Sequence, residues 1–302
     1  MSVTASIQPN ILCIGSVMWD IIGRSSATMR AGSDVPGHIS RLPGGVAMNI
    51  AMTLRQQGMR PALLSAVGRD PEGDELIARA AQMGLITDHL YRSDTLPTDR
   101  YMAVEGANGL IAAIADAHSL EKAGDKILRP LEDGTFGSAA HPWSGPVALD
   151  GNLTEKLLGQ IATSPLFVAA DLRVAPASPG KAGRLMALLG HPVAMFYVNL
   201  EEANLLCCAN FTSSQAAAEA LVKHGVRRVA VTDGANSATI ADTDGHSITM
   251  APPAVASSRV TGAGDTFMAA HIAAESTGLS GAPALTKALQ AAAHFVSGQT
   301  AQ

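Results

Sequence analysis

The sequence is poor in charge, in aromatic side chains and in cysteine, and it contains no long uninterrupted apolar run. Charged residues make up 16% of its 302 positions, against about 25% in an average soluble domain, so little chain is left for solvated tails. The charge present is slightly acidic, 21 Lys and Arg against 26 Asp and Glu for a formal net charge of −5, which argues against a nucleic-acid partner. Hydrophobic residues reach 47%, yet no stretch approaches the roughly 18 to 20 consecutive apolar residues of a membrane-spanning helix. Met1 to Asn10 carries neither the basic nor the apolar region of a secretory signal, and a cytoplasmic location is expected. Cys13 lies in an apolar run and Cys207 adjoins Cys208, so neither a CxxC motif nor a disulfide framework is available. The nine histidines are scattered without HxxxH or HxH pairing, which removes a zinc site.

What is present is a βα rhythm. Short apolar runs at Ile11 to Ile14, Ala62 to Val67, Val147 to Leu149, Leu166 to Ala170, Val193 to Val198 and Val229 to Thr232 read as buried strands of a parallel sheet. Between them, Ala47 to Gln57, Glu72 to Met83, Leu153 to Ala162, Gln215 to Lys223 and Ala284 to Ser297 have helical spacing. The pattern predicts an α/β core in three layers with a mostly parallel central sheet. Residues 20–43 and 98–117 break the rhythm, and Asn108-Gly109 marks a hairpin turn in the second. These two inserts are expected to form a small β-sheet lid on a core of residues 1–19, 44–97 and 118–302.

The segment Val260-Thr-Gly-Ala-Gly-Asp-Thr-Phe-Met-Ala-Ala is a glycine turn opening a helix. Such a turn aims unpaired N–H groups and a positive dipole end at one spot, which makes an anion site of Gly262, Ala263 and Gly264. Asp265 then either caps the helix or serves as a general base beside a phosphate. The third glycine of a dinucleotide fingerprint is missing at Phe267, and Gly180-Lys181-Ala182 fails the Walker A pattern. Upstream, Gly44-Gly45 precedes a helix whose first turn carries Asn49, and Asp20 follows the first strand. Two glycines permit close approach of a polar ligand, Asn49 offers donor and acceptor, and Asp20 can accept from a diol. Trp19 can either stack on a ligand or pack at the base of the lid.

Together these segments resemble the ribokinase-like sugar and nucleoside kinases of the PfkB family, with Gly44, Gly45 and Asn49 matching its N-terminal signature and Thr261-Gly-Ala-Gly-Asp265 its C-terminal one. Asn199-Leu-Glu-Glu202 fits the family's Asn-x-x-Glu motif, and Thr232-Asp-Gly234 its turn beside the nucleotide. The resemblance implies transfer of the γ-phosphoryl group of ATP to a sugar hydroxyl. Asp265 would be the base and the turn from Gly262 to Gly264 the anion hole. Asp20, Gly44, Gly45 and Asn49 would hold the sugar; Asn199, Glu202, Thr232, Gly234 and Thr261 would serve the nucleotide, with Mg²⁺ reached indirectly through Glu202. Thr98-Asp-Arg-Tyr101 through Asp116 and Asp150-Gly-Asn152 are similar to the family's pseudouridine kinases. That similarity implies a small-molecule nucleoside as acceptor, read by Thr98, Tyr101, Asn108, Asp150 or Asn152. Ribose, fructose, adenosine and inosine are the other acceptors the family admits, and a sensor without catalysis is the alternative outside enzymes. Family lids pair, which implies a homodimer. Met18 stands where many relatives carry Asn, and Arg259 where a carboxylate or amide helps to hold a monovalent cation; weak or absent K⁺ activation is therefore expected.

Overall fold

The protein is described here by a computed structural model covering residues 8–30, 32–256 and 261–298. The chain opens with β1 (Ile11–Ile14), β2 (Met18–Arg24), β3 (His38–Gly44), α1 (Val46–Gln56), β4 (Pro61–Leu64), β5 (Ala66–Gly68) and α2 (Pro71–Gln82). It continues through β6 (Tyr91–Ser93), β7 (Arg100–Gly106), β8 (Gly109–Asp116), α3 (Ser119–Ala123), β9 (Pro146–Asp150), α4 (Glu155–Thr163) and β10 (Asp171–Ala175). β11 (Met195–Asn199), α5 (Leu200–Cys207), α6 (Ser214–Lys223), β12 (Arg228–Thr232), β13 (Ala238–Asp242), β14 (Ser247–Met250), α7 (Ala263–Ser276) and α8 (Gly281–Ser297) complete it.

Eight strands form one sheet in the order β14-β13-β12-β11-β10-β9-β1-β4. The pairs from β4 to β12 are parallel, and β13 and β14 add an antiparallel hairpin at one edge. Side chains alternate between the two faces of a strand, and the core divides accordingly. Leu12 and Ile14 pack with α3, α4, α5 and α6, whereas Ile11 and Cys13 pack with α1, α2, α7 and α8. The three-layer α/β/α core is thus present. α7 is buried all round from Thr266 to Ala274, because its run of small Ala residues lets it lie between β11, α1 and α8.

A separate four-stranded sheet, β3-β2-β7-β8, is built from the two inserts. Its strands run from Met18 to Gly44, starting two residues before and ending one after the expected insert of 20–43, and from Arg100 to Asp116 within the second. β7 and β8 meet through Ala107 and Asn108, with Gly106 opposite Gly109 and Gly109 at φ +92, the left-handed backbone that favours glycine there.

The strand expected at Leu166 to Ala170 is not one. Pro165–Phe167 forms a short 3-10 turn with Ser164 capping the Leu166 N–H, and the strand begins at Asp171. β10 carries Asp171 and Arg173, so its alternation is not apolar; Arg173 is only 5% exposed and is neutralised by Asp171 and Glu275. Ala62 to Val67 is likewise divided at Ser65, with β5 leaving the large sheet to pair with β6.

Candidate active site

The C-terminal ends of β1, β9, β10, β11 and β12 open into a cleft of about 470 Å³ roofed by β2, β7 and β8 and closed by the first turn of α7. Ligands of open α/β sheets bind at this end of the strands.

Its frame is a buried carboxylate. Asp150 is 0% exposed and accepts from the Ser16 N–H (2.8 Å), the Ser16 hydroxyl (2.9 Å), the Ala47 N–H (3.0 Å) and the Asn152 N–H (2.8 Å). The Ser16 hydroxyl in turn accepts from Val46 N (2.8 Å) and Asn152 Nδ2 (2.8 Å). One side chain thereby ties the exits of β1 and β9 to the start of α1. Burial pushes the Asp150 carboxyl above its usual range, and these hydrogen bonds pull it back. Asp150 does not line the cleft, and the expectation that it meets the acceptor is corrected: its oxygens are occupied in the scaffold.

The adjacent glycines have separate roles. Gly45 has φ +93, and a Cβ there would lie 2.5 Å from the Ser16 carbonyl oxygen. Gly44 does not line the cleft; a Cβ on it would lie 2.1 Å from the Asp20 carboxylate, so it makes room for Asp20 and is not itself a ligand-contacting group. Asp20 lines the cleft, and burial raises it to about 6. Tyr101, opposite Asp20 in the β2–β7 register, lines it as well, with burial and then Asp20 raising its hydroxyl.

Two further expectations fail. Thr98 is buried, giving its hydroxyl (2.6 Å) and N–H (2.8 Å) to Asp70, the cap of α2, and it does not line the cleft. Asn108 sits at the hairpin tip, bonding the Met29 N–H (3.0 Å) and carbonyl (3.1 Å). Trp19 packs: its Nε1 donates to the Glu72 carbonyl at 2.9 Å and Arg41 lies 3.7 Å over its ring.

Gly262, at φ +91, precedes α7. The first main-chain bond of the helix runs from Thr266 N to Gly262 O at 3.0 Å, so the N–H groups of Ala263, Gly264 and Asp265 stand ahead of the helical ladder. Thr261, Gly262, Gly264 and Asp265 line the cleft. The Asp265 side chain, in the first turn of the helix, accepts from Asn49 Nδ2 at 2.9 Å, joining segments 216 positions apart. Burial raises Asp265 to about 7; the Asn49 bond opposes this, and Asp150, Asp20 and Glu202 add to it.

Asn199 and Glu202 form a reciprocal cap on α5: Asn199 Oδ1 accepts from Glu202 N and Glu202 Oε2 from Asn199 N, both 2.8 Å. Both also line the cleft, and burial lifts Glu202 to about 7. Thr232 lines it too, whereas Gly234 lies beyond in the following turn at φ +55. Arg259, on which the expectation about K⁺ rested, is outside the described residues.

Lys181 is a cleft residue that sequence reasoning missed. It comes from the 3-10 stretch Pro179–Leu188, is half-buried, and donates to Asn152 Oδ1 at 2.6 Å. Burial and then Arg184 hold its ammonium below the usual lysine range, against Asp150, Glu121 and Asp99. A lone lysine after Gly180 has no partner at fixed spacing, so only the failed Walker A comparison drew notice to it.

The site can therefore bind an anion at a glycine turn beside a carboxylate poised to accept a proton, the equipment of an alcohol phosphotransferase. The chain belongs to the pfkB family of carbohydrate kinases, whose pattern it matches over residues 8–302. It is 28% identical over 267 residues to a pseudouridine kinase of Escherichia coli (strain K12), covering 86% of this chain and 81% of that one. A pseudouridine kinase of Arabidopsis thaliana is 24% identical over 251 residues, 75% of this chain and 64% of the plant protein. The structure of Arabidopsis thaliana ribokinase complexed with ribose and ATP superposes with a TM-score of 0.76 at 21% identity, covering 96% and 93% of the two chains, a likeness of fold. No helix among the described residues is long and apolar enough to cross a membrane.

Proposed function

We propose that the protein phosphorylates the ribose 5′-hydroxyl of pseudouridine with ATP. The observation that carries the reading is the bond between Asn49 and Asp265, which brings the glycine turn before α1 and the anion-binding turn before α7 to one point. An acceptor hydroxyl held there by Asn49 and Asp20 lies beside a carboxylate that burial raises to about 7, near the operating pH at which a general base works best. Asp265 takes the hydroxyl proton as the acceptor oxygen bonds to the γ-phosphorus. The bond from that phosphorus to the β,γ-bridging oxygen breaks, and ADP leaves with the electron pair. The N–H groups of Gly262, Ala263 and Gly264 stabilise the charge on the phosphoryl oxygens, each such donor contributing about 3 kcal/mol.

The described residues contain no cluster of three or more His, Cys, Asp or Glu able to hold a metal. Mg²⁺, which keeps most of its water and takes phosphate oxygens, would arrive with the nucleotide and find the Glu202 carboxylate in the cleft lining. Glu202, with Asn199 orienting it, would hold that hydrated ion, which neutralises phosphate charge when bound. Thr232 and Thr261 would flank the nucleotide, and Asn152 the acceptor. The small sheet would act as a lid, with Tyr101 and Asp20 on its inner face, excluding water that competes as acceptor. Two copies would pair through that sheet's outer face.

Support for pseudouridine comes from two relatives so named, one bacterial and one plant. The test is product mass after incubation with Mg·ATP and pseudouridine, uridine, adenosine, inosine, ribose or fructose. Selective conversion of pseudouridine is expected. Selective conversion of another member overturns the acceptor, and stabilisation by acceptors with no turnover at all favours a sensor.

A further inference from the structure

Among the described residues lining the cleft, Lys181 is the only Lys, Arg or His, while Asp20, Glu202 and Asp265 line the same space. A nucleoside triphosphate adds more negative charge to a site already acidic, and phosphoryl transfer depends on cations aimed at the group in transit. Position in the sheet says which group Lys181 would meet. Asn152 follows β9, Lys181 follows β10 and Asn199 closes β11, and these strands are neighbours in that order. Lys181 thus stands between the side that carries Asn152 and the side that carries Asn199 and Glu202.

Its present partner is weak. Nζ donates to the neutral amide oxygen of Asn152 at 2.6 Å, and no carboxylate among the described residues forms an ion pair with it. Arg184, one helical turn further on, is by contrast fastened to the carbonyls of Gly151, Asn152 and Leu153 and to Glu121. An ammonium has three donors, and a phosphate oxygen is a stronger acceptor than an amide.

We propose that Lys181 is a catalytic residue that contacts the γ-phosphoryl group during transfer, with Asn152 as the resting partner of its ammonium. The assignment rests on phosphoryl transfer to an alcohol, not on which alcohol accepts.

The experiment compares the wild type with Lys181→Met and Lys181→Arg, and its first measurement needs no acceptor. Calorimetry with Mg²⁺ gives the affinities for ADP and for the β,γ-methylene analogue of ATP. The wild type is expected to favour the analogue; Lys181→Met should lose that preference while holding ADP to within about twofold, and Lys181→Arg should keep it. With an acceptor that turns over, Lys181→Met should lower kcat about 100-fold and leave the acceptor KM within about threefold. Unfolding temperatures of both variants should match the wild type, because the side chain is half-buried and outside the core. Equal weakening of ADP and the analogue, a wild type with no preference for the analogue, or an unchanged kcat with a raised acceptor KM would each overturn the proposal.

Discussion

Asp265 has to ionise where burial resists ionisation, and two measurable consequences follow. As the base it must be deprotonated, so kcat/KM should rise with pH and level off above about 7, the value to which burial brings it. Asp265→Asn should lower kcat about 1000-fold and leave acceptor affinity within a few-fold; turnover near the wild-type rate would remove Asp265 as the base. The second consequence is for stability. A carboxyl raised from 3.8 to about 7 in the folded protein holds its proton more tightly there than in the unfolded chain. The stability this gives is complete below about pH 4, declines as the pH rises to about 7, and is absent above. Asp265→Asn should therefore melt roughly 3 °C above the wild type at pH 8, by an advantage that shrinks at pH 5. At this scale the sequence was legible where chemistry comes with a backbone device: the glycines before Asp265 and those before Asn49 mark their places. Lys181 and Ser16 have no such frame, and only the fold brings them beside Asn152. The resemblance of Asp150-Gly-Asn152 to the family pattern draws attention to Asp150, but a pattern cannot distinguish a carboxylate aimed at a ligand from one consumed by Ser16 and Ala47.

At the scale of elements, α7 carries Asp265 at one end and is anchored at the other. Glu275 accepts from Arg173 of β10 and from Arg228 of β12, the latter at 2.6 Å, and the Tyr197 hydroxyl of β11 meets His271 at 2.9 Å. The helix is thus fixed to three adjacent strands. Its low amphipathicity is the reason, since a helix buried all round has no polar face to set its rotation. Glu275→Gln leaves Arg173 buried with Asp171 as its only carboxylate and the Tyr197 hydroxyl as a neutral partner. Removing one partner of a buried pair costs about 3 kcal/mol or more, and urea denaturation should report a loss of that order; a change under about 1 kcal/mol would mean that apolar packing alone holds the helix. These charges also obscured β10 in the sequence. A strand with Asp171 and Arg173 at alternate positions reads as polar, and the apolar stretch before it, Leu166 to Ala170, drew the expectation to a segment that Pro165 and Ser164 turn into a 3-10 bend. Strands such as β1, β9 and β12 fall within a residue of their expected ends because their apolar runs and their ladders coincide.

The whole molecule raises the question of what covers the small sheet. Register assigns its faces: Asp20, Tyr101 and Ala115 are mutually opposite and look into the cleft. Ile21, Met102 and Ile114 form the next row and point the other way, as does Ile39, paired with Gly23. Ile39, Met102 and Ile114 are 73%, 49% and 68% exposed, and β8 is an edge strand exposed along nearly its whole length. An apolar face joined to an open edge is a liability in a monomer. Its cluster on one side of one sheet, away from the cleft, is what a pairing surface between two copies requires. Sedimentation at micromolar concentration should therefore give a dimer, and Ile114→Lys with Met102→Glu should give a monomer whose core unfolds at the wild-type temperature. If the lid is steadied by pairing, the monomer should also show a raised acceptor KM, because Asp20 and Tyr101 lie on the reverse of the same strands. A wild type that sediments as a monomer would separate the exposed face from any role in self-association, and an unchanged KM in the monomeric variant would show that the sheet holds its inner face unaided.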